Sequence, residues 1–409
     1  MSKSDRQYAQ IMLRDVAADV EKYYYDPKLH GVDWPSAVRQ AKANVDKAEN
    51  MDMAISEIAA LLDSLHDTHT VFLPPARNYV HNYGFRTKMI GEHCFVVHVH
   101  PGSDAEKKGL KAGDEVLAIN DHPVSRKNFP RIWYIYGTLR PQPALKLTLA
   151  GDNNQSRQLE IKTKITPSHV LKWYLAQGSN QVHRDADADR YYNRVRYSDK
   201  GDDLLVVRLP EFTLTVQQVD EVIGKMRAHK GVVLDLRTNP GGYVDTLNRL
   251  LGGFFERDLK AFDRVERKET KAENVTGRHV HAYTGRFVVL IDSDSASASE
   301  LFSRVIQLER RGFVLGDRSA GAVMGAKVYV HSVDYEYGAE ITVLNAIMSD
   351  GQSLEHTGVQ PDIVVLPTAA DLASHRDIAL AKAAGLVGAK IAPEEAGAMF
   401  REEEEKDDD

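Results

Sequence analysis

Apolar positions in the first eighty residues recur with a helical period. Met12, Val16 and Val20 fall on one face, and Asp26-Pro27 stops the run. A second helix is predicted from Asp33 toward Lys47, with Pro35 in its first turn, and a third over Met53 to Leu65. The prolines of Asp67-Thr-His-Thr-Val-Phe-Leu-Pro-Pro75 make that stretch read as a loop. From Val80 to Thr163 the texture changes to short strands, including Cys94 to Val99 and Leu145 to Leu149, with a short helix around Ala105 to Lys108. Gln181 to Asp203 is charged and poor in aliphatics, which predicts a linker or surface excursion. Beyond it, buried-type strands alternate with helices. Leu204 to Arg208, Gly231 to Leu236 and Phe287 to Ile291 are the strands; Val244 to Phe254 and a run ending near Arg310 are the helices. Strand, turn and helix in repetition predict βαβ units around a largely parallel sheet. The charged segment Lys260 to Val280 reads as an exposed loop or hairpin, and a last helix is expected near Asp377 to Leu386.

Composition narrows the class. The 409 residues suffice for two or three domains, and 43% hydrophobic with 27% charged residues is an ordinary globular mix. Lys and Arg number 52 against 59 for Asp and Glu, but residues 401–409 hold seven of the acids and two of the bases. The rest is near neutral, without the basic excess expected of a nucleic-acid binder, and the acidic run reads as a solvated, disordered tail. No stretch reaches the roughly 20 apolar residues of a membrane helix. Cys94 is the only cysteine, so intrachain disulfides and cysteine-rich zinc sites are excluded. Met1 to Arg6 opens no apolar signal core, which leaves a cytoplasmic protein or one whose signal has been removed.

Two strand-to-helix turns carry candidate chemistry. Asp235-Leu-Arg-Thr-Asn-Pro-Gly-Gly242 offers glycine amides that can stabilise an oxyanion, and Ser295, Ser297 and Ser299 stand at a helix start. Each turn alone also has a plain structural explanation, in tight glycine packing or serine capping. Taken in order with Asp67-Thr-His-Thr, Gly109-Leu-Lys-Ala-Gly-Asp-Glu-Val-Leu-Ala-Ile-Asn120, Gly316-Asp-Arg-Ser-Ala-Gly321 and Leu354-Glu-His-Thr-Gly-Val-Gln-Pro-Asp362, they form a pattern. It resembles the C-terminal processing (tail-specific) serine peptidase family, over residues 60 to 365.

That resemblance implies an α/β multidomain protein. Its parts would be a helical N-terminal region (1–79), a β-rich PDZ domain (80–165), a linker (166–195), a ClpP/crotonase-like α/β catalytic core (196–368), a C-terminal helical segment (369–400) and the tail (401–409). It implies Ser297 as nucleophile and an oxyanion hole at Gly241, Gly242 and the Ala298 amide, with Ser319 as a supporting residue. No metal or cofactor is implied. Bacterial members typically use a Ser/Lys dyad, but the lysine position here is Ala322. Similarity to the tricorn core protease and its relatives supplies His69 as base, Glu355 as its orienting carboxylate and Thr68 as a supporting hydroxyl. His66 and Lys327 are the rival bases. A PDZ domain captures an extended peptide by strand addition, and Tyr83-Gly-Phe85 is the best match to its carboxylate loop. The implied activity is endopeptidase cleavage of proteins or peptides, at or near C-termini. The alternatives are an inactive binding homologue, like the family's retinoid-binding relatives, and a Ser/Lys peptidase using Lys327. Family resemblance favours the periplasm or cell envelope.

Overall fold

The computed structural model describes residues 1–151, 155–167, 194–332 and 336–400. Three helices open the chain: α1 (Lys3–Tyr23), α2 (Trp34–Lys47) and α3 (Met51–Asp63). Each begins where a side chain takes an end amide. Ser2 Oγ accepts from Asp5 NH, Asp33 from Ser36 NH and Asn50 from Met53 NH. Their buried faces, with Met12, Val16 and Val20 on α1, pack into a cluster that also contains Phe72, Tyr337 and Ile341. The stretch 71–73 is therefore a strand, β1 (Val71–Leu73), where a loop was expected. Three residues carry too little pattern to show it, and pairing with Gly338 to Glu340 creates it.

A small β-rich domain follows. Strand β2 (Tyr79–Asn82) leads to a hairpin of β3 (Phe85–Ile90) and β4 (His93–Val99) and the short α4 (Asp104–Lys107). Next come β5 (Val116–Ile119), β6 (His122–Pro123), α5 (Phe129–Trp133), β7 (Ala144–Ala150), β8 (Ser156–Lys162) and β9 (Lys164–Pro167). Met89, Val96, Ile119, Leu145 and Leu147 form its separate core. The expected linker lies almost wholly outside the described residues, as does the acidic tail.

The remainder is built on two sheets. The first contains β10 (Arg196–Asp199), β11 (Leu205–Arg208), β12 (Gly231–Asp235), β15 (Arg286–Ile291), β16 (Phe313–Gly316) and β19 (Ile363–Val364), in that spatial order. All its pairs are parallel except β10 with β11. Alternate residues leave its two faces. Val207, Leu234 and Val289 join the cluster shared with α6 (Val216–Arg227), α7 (Val244–Gly252) and α8 (Ala298–Leu308). Val206, Val233 and Val288 meet α10 (Ile378–Leu386) on the other side; α9 (Ala369–Ala373) and α11 (Pro393–Ala398) flank it in the chain. Burial on both faces explains why these strands read as unbroken apolar runs.

The second sheet is antiparallel throughout and was not foreseen. It joins β1 to β13 (Leu259–Glu266), β14 (Thr270–Val275), β17 (Gly325–Ser332) and the long β18 (Glu336–Met348). The charged segment after Leu259 is thus a hairpin of the core, with Ala261 and Phe262 buried. Because β12 and β15 are parallel neighbours, the turns that follow them leave the sheet at the same end, where α/β folds gather ligands. No helix among the described residues is long and apolar enough to cross a membrane.

Candidate active site

Ser297 is the residue before α8 and has φ of +54°. A side chain in this left-handed region costs on the order of 1–3 kcal/mol, a strain typical of nucleophile turns. The two neighbouring serines are consumed by structure. Ser295 Oγ donates to Leu236 O (2.8 Å) and accepts from Asp292 NH (2.9 Å); Ser299 Oγ donates to Asn239 O (3.0 Å) and Ala296 O (2.9 Å). Both are fully buried, whereas Ser297 is half-buried.

The glycine turn packs directly on this serine. A Cβ on Gly241 would lie 2.6 Å from Ser297 Cβ, so only glycine fits. The Gly241 amide itself donates to Asn239 Oδ1 at 2.8 Å, so the close packing of this glycine on Ser297 is its visible contribution to the turn. Gly242 differs. Phe212 NH donates to Gly241 O (2.7 Å) and Tyr243 NH to Phe212 O (2.8 Å). Both bonds of that bridge belong to Phe212, so the Gly242 amide points the other way. Ala298 NH is the first amide of α8, one of those a helix start leaves without an intrahelical partner.

Beneath Ser297 lies Glu300, a residue the sequence reading left without a role. It is wholly buried and accepts Ser297 NH (3.1 Å), Gly321 NH (2.8 Å), Ala322 NH (2.9 Å) and Ser319 Oγ–H (2.5 Å). Burial pushes its carboxyl up to about 7 against the pull of these four donors. Ser319, which also accepts Val359 NH at 2.6 Å, supports Glu300. The available signal was the Ser-x-x-Glu spacing of residues 297 to 300.

His69 is buried, in the turn before β1. Its Nδ1 is 2.8 Å from Thr68 Oγ1, and Thr68 Oγ1 is 3.1 Å from Glu355 Oε2. A carboxylate can only accept, so the hydroxyl proton goes to Glu355 and the hydroxyl oxygen accepts from Nδ1–H. This leaves the lone pair on Nε2, the tautomer a general base needs. Glu355 also receives Thr68 NH (2.8 Å) and Val323 NH (2.9 Å). Ser297 NH donates to Ala322 O at 2.7 Å, so the Ala322–Val323 segment ties the serine turn to the carboxylate. Asp67 Oδ1 accepts His69 NH (2.9 Å) and Thr70 NH (2.6 Å), fixing the histidine turn.

The rival bases lie elsewhere in character. Lys327 is exposed on β17. His66 is exposed after α3. In the expected carboxylate loop, Gly84 NH donates to Asn82 Oδ1 at 2.7 Å. Among the described residues, no group of three or more His, Cys, Asp or Glu side chains is arranged to hold a metal.

Residues 203–365 match peptidase family S41, and residues 76–128 match the PDZ domain. Residues 203–365 thus form a core of the peptidase S41 type, joined to a PDZ domain. The chain is a serine-type peptidase, the fold having the expected helical region, PDZ domain and protease core. Carboxy-terminal processing protease CtpA of Bacillus subtilis (strain 168) is 23% identical over 343 residues, which is 80% of this chain and 67% of the relative. The chain spans 64% of the length of a second Bacillus relative, CtpB. The chloroplastic C-terminal processing peptidase of Tetradesmus obliquus is 23% identical over 380 residues, 88% of this chain and 78% of that one. Among solved structures, mature CPAF aligns with a TM-score of 0.65 at 15% identity, over 91% of this chain and 95% of the other. The tricorn protease aligns at 0.52 and 14% identity, over 93% and 37%. These structural likenesses speak for the fold.

Proposed function

We propose that this S41 peptidase hydrolyses peptide bonds in proteins through Ser297, His69, Thr68 and Glu355, with the amides of Gly242 and Ala298 as oxyanion donors. The reading is carried by the hydrogen-bonded line from His69 Nδ1 through Thr68 Oγ1 to Glu355. In it, His69 Nε2 takes the Ser297 proton as the hydroxyl attacks the scissile carbonyl. The imidazolium is stabilised by Glu355 through Thr68, and the proton then passes to the leaving amine. Water repeats the sequence on the acyl-enzyme. Alanine at 322 and an exposed Lys327 weigh against a Ser/Lys dyad. The partly buried serine turn and the glycine turn packed against it weigh against an inactive scaffold. Substrates at or near C-termini, and an envelope location, are the extension we make from the named relatives, which include bacterial and chloroplastic processing proteases.

The test is fluorophosphonate labelling together with cleavage of an unfolded protein. Wild type and Lys327→Ala should label and cleave, and Ser297→Ala and His69→Ala should do neither. Retained cleavage by Ser297→Ala would overturn the peptidase site. Loss in Lys327→Ala with retention in His69→Ala would overturn the base.

A further inference from the structure

We propose that Lys88, on strand β3 of the PDZ domain, is a positioning residue for the oxyanion turn of the catalytic core, acting through Asp292. The inference rests on the site proposed above. Lys88 Nζ lies 2.5 Å from Asp292 Oδ2 and 3.3 Å from Asp294 Oδ2, with its side chain only 18% exposed. Asp292 is the residue after β15, five before Ser297. Its other oxygen, Oδ1, accepts Thr238 NH (2.9 Å) and Asp294 NH (3.1 Å). Thr238 sits at φ +61°, a conformation that a single threonine holds only when its surroundings impose it. It directly precedes Asn239, whose Oδ1 holds the Gly241 amide. One ammonium in the PDZ domain thus fixes the carboxylate that both oxyanion-side and nucleophile-side turns hang on.

Further bonds keep that strand in place. Ser293 Oγ donates to Met89 O (2.6 Å), Gly91 NH to Asp317 Oδ2 (2.8 Å), and Arg126 pairs with Asp317 at 3.2 Å with both side chains 11% exposed. On the same strand, Trp133 Nε1 of α5 donates to Thr87 Oγ1 at 3.2 Å, and Ser103 fills the space beside Gly84. The strand is therefore fastened on both sides.

The chemistry of the pair sets what removal would do. Burial alone would raise Asp292, but Lys88 and the Thr238 amide hold it below its ordinary range; burial and its neighbour Asp292 hold Asp294 above it. The charged or titratable groups facing the two carboxylates are Lys88, Arg126, Arg237 and the buried Cys94 thiol, itself pushed up to about 12. Without Lys88, the two acids are left to share a proton. As pH rises and that proton leaves, like charges separate and the Thr238 amide loses its acceptor.

The experiment compares Lys88→Met, Lys88→Arg and Lys88→Met/Asp294→Asn in the full chain. It uses an internally cleaved fluorogenic peptide with an amidated C-terminus, so that capture of a terminal carboxylate plays no part. Lys88→Met should lower kcat roughly tenfold or more with KM within about twofold, on the scale of a weakened oxyanion donor. Its deficit should grow with pH, and Lys88→Arg should recover most of the activity. The double variant should keep the low kcat but regain the wild-type pH profile. If Lys88→Met does not accumulate, the double variant alone decides through its kcat. Wild-type kcat and pH profile with only a lower Tm would overturn the proposal, as would a defect confined to KM. A Ser297→Ala control that still cleaves would instead overturn the underlying site.

Discussion

Thr68 stands between His69 and Glu355, its hydroxyl 2.8 Å from the imidazole Nδ1 and 3.1 Å from the carboxylate. Glu355 therefore reaches the proposed base, His69, through an intermediary. Thr68→Val keeps shape and removes the hydroxyl, leaving Nδ1–H and Glu355 without their shared partner. One buried hydrogen bond lost costs about 1–3 kcal/mol, so kcat should fall roughly tenfold to a hundredfold. Thr68→Ser should recover most of it, as steady-state kinetics on one substrate would show.

Gly241 and Gly242 differ in what a methyl group would meet. On Gly241 it would strike Ser297 Cβ at 2.6 Å, and on Gly242 the Phe212 carbonyl oxygen at 2.5 Å; φ is +104° and +142°. Gly242→Ala should lose about 10²–10³-fold in kcat, the scale of a missing oxyanion donor, and Gly241→Ala should lose activity by pushing Ser297 aside. Gly241→Ala should in addition slow fluorophosphonate labelling, because it displaces the nucleophile.

Glu300 predicts a pH dependence of stability. Its folded value of about 7 lies above the ordinary 4.5, so between those pH values the folded chain holds a proton that the unfolded chain has released. Stability from this group therefore falls as pH rises from about 4.5 to 7 and is level outside that window. Glu300→Gln should flatten that window in Tm measured against pH. It should also lower Tm throughout, since an amide cannot accept all four donors.

Arg237 lies between two acids, 2.8 Å from Asp235 and 2.7 Å from Asp377. Asp235 is fully buried and held far below the carboxylate range: burial opposes its charge, and Arg237 and Arg208 overcome it. Arg237→Leu strips away that partner and should destabilise the chain by roughly 3–5 kcal/mol in urea titration. Asp235→Asn in the same background should restore part of the loss.

The parts legible in the sequence are those where pattern and chemistry coincide. Met12, Val16 and Val20 declared α1, and the continuous apolar runs declared β11, β12 and β15 because both faces of that sheet are covered. Ser297 stood out through its motif, and of the three serines there Ser295 and Ser299 are buried. The antiparallel sheet was hidden because β13 carries Lys260, Asp263 and Arg264 beside its buried Ala261 and Phe262. Glu300 had no role in the sequence pattern; that its oxygens serve residues 297, 319, 321 and 322 follows only from the folded path of the chain. Lys88 carries no signal in the sequence because its two carboxylates lie more than 200 residues away.

The bond from Thr68 to Glu355 spans 287 positions of sequence. A ribosome delivers the histidine turn early, the serine turn later and the carboxylate last. The strand that binds the histidine turn, β18, comes after the nucleophile in that order. A growing chain would thus carry Ser297, the proposed nucleophile, well before Glu355 is present to orient His69. On the proposed site, the circuit from His69 through Thr68 to Glu355 would close only once the segment near residue 355 has emerged, which makes the site among the last parts of the chain to be assembled.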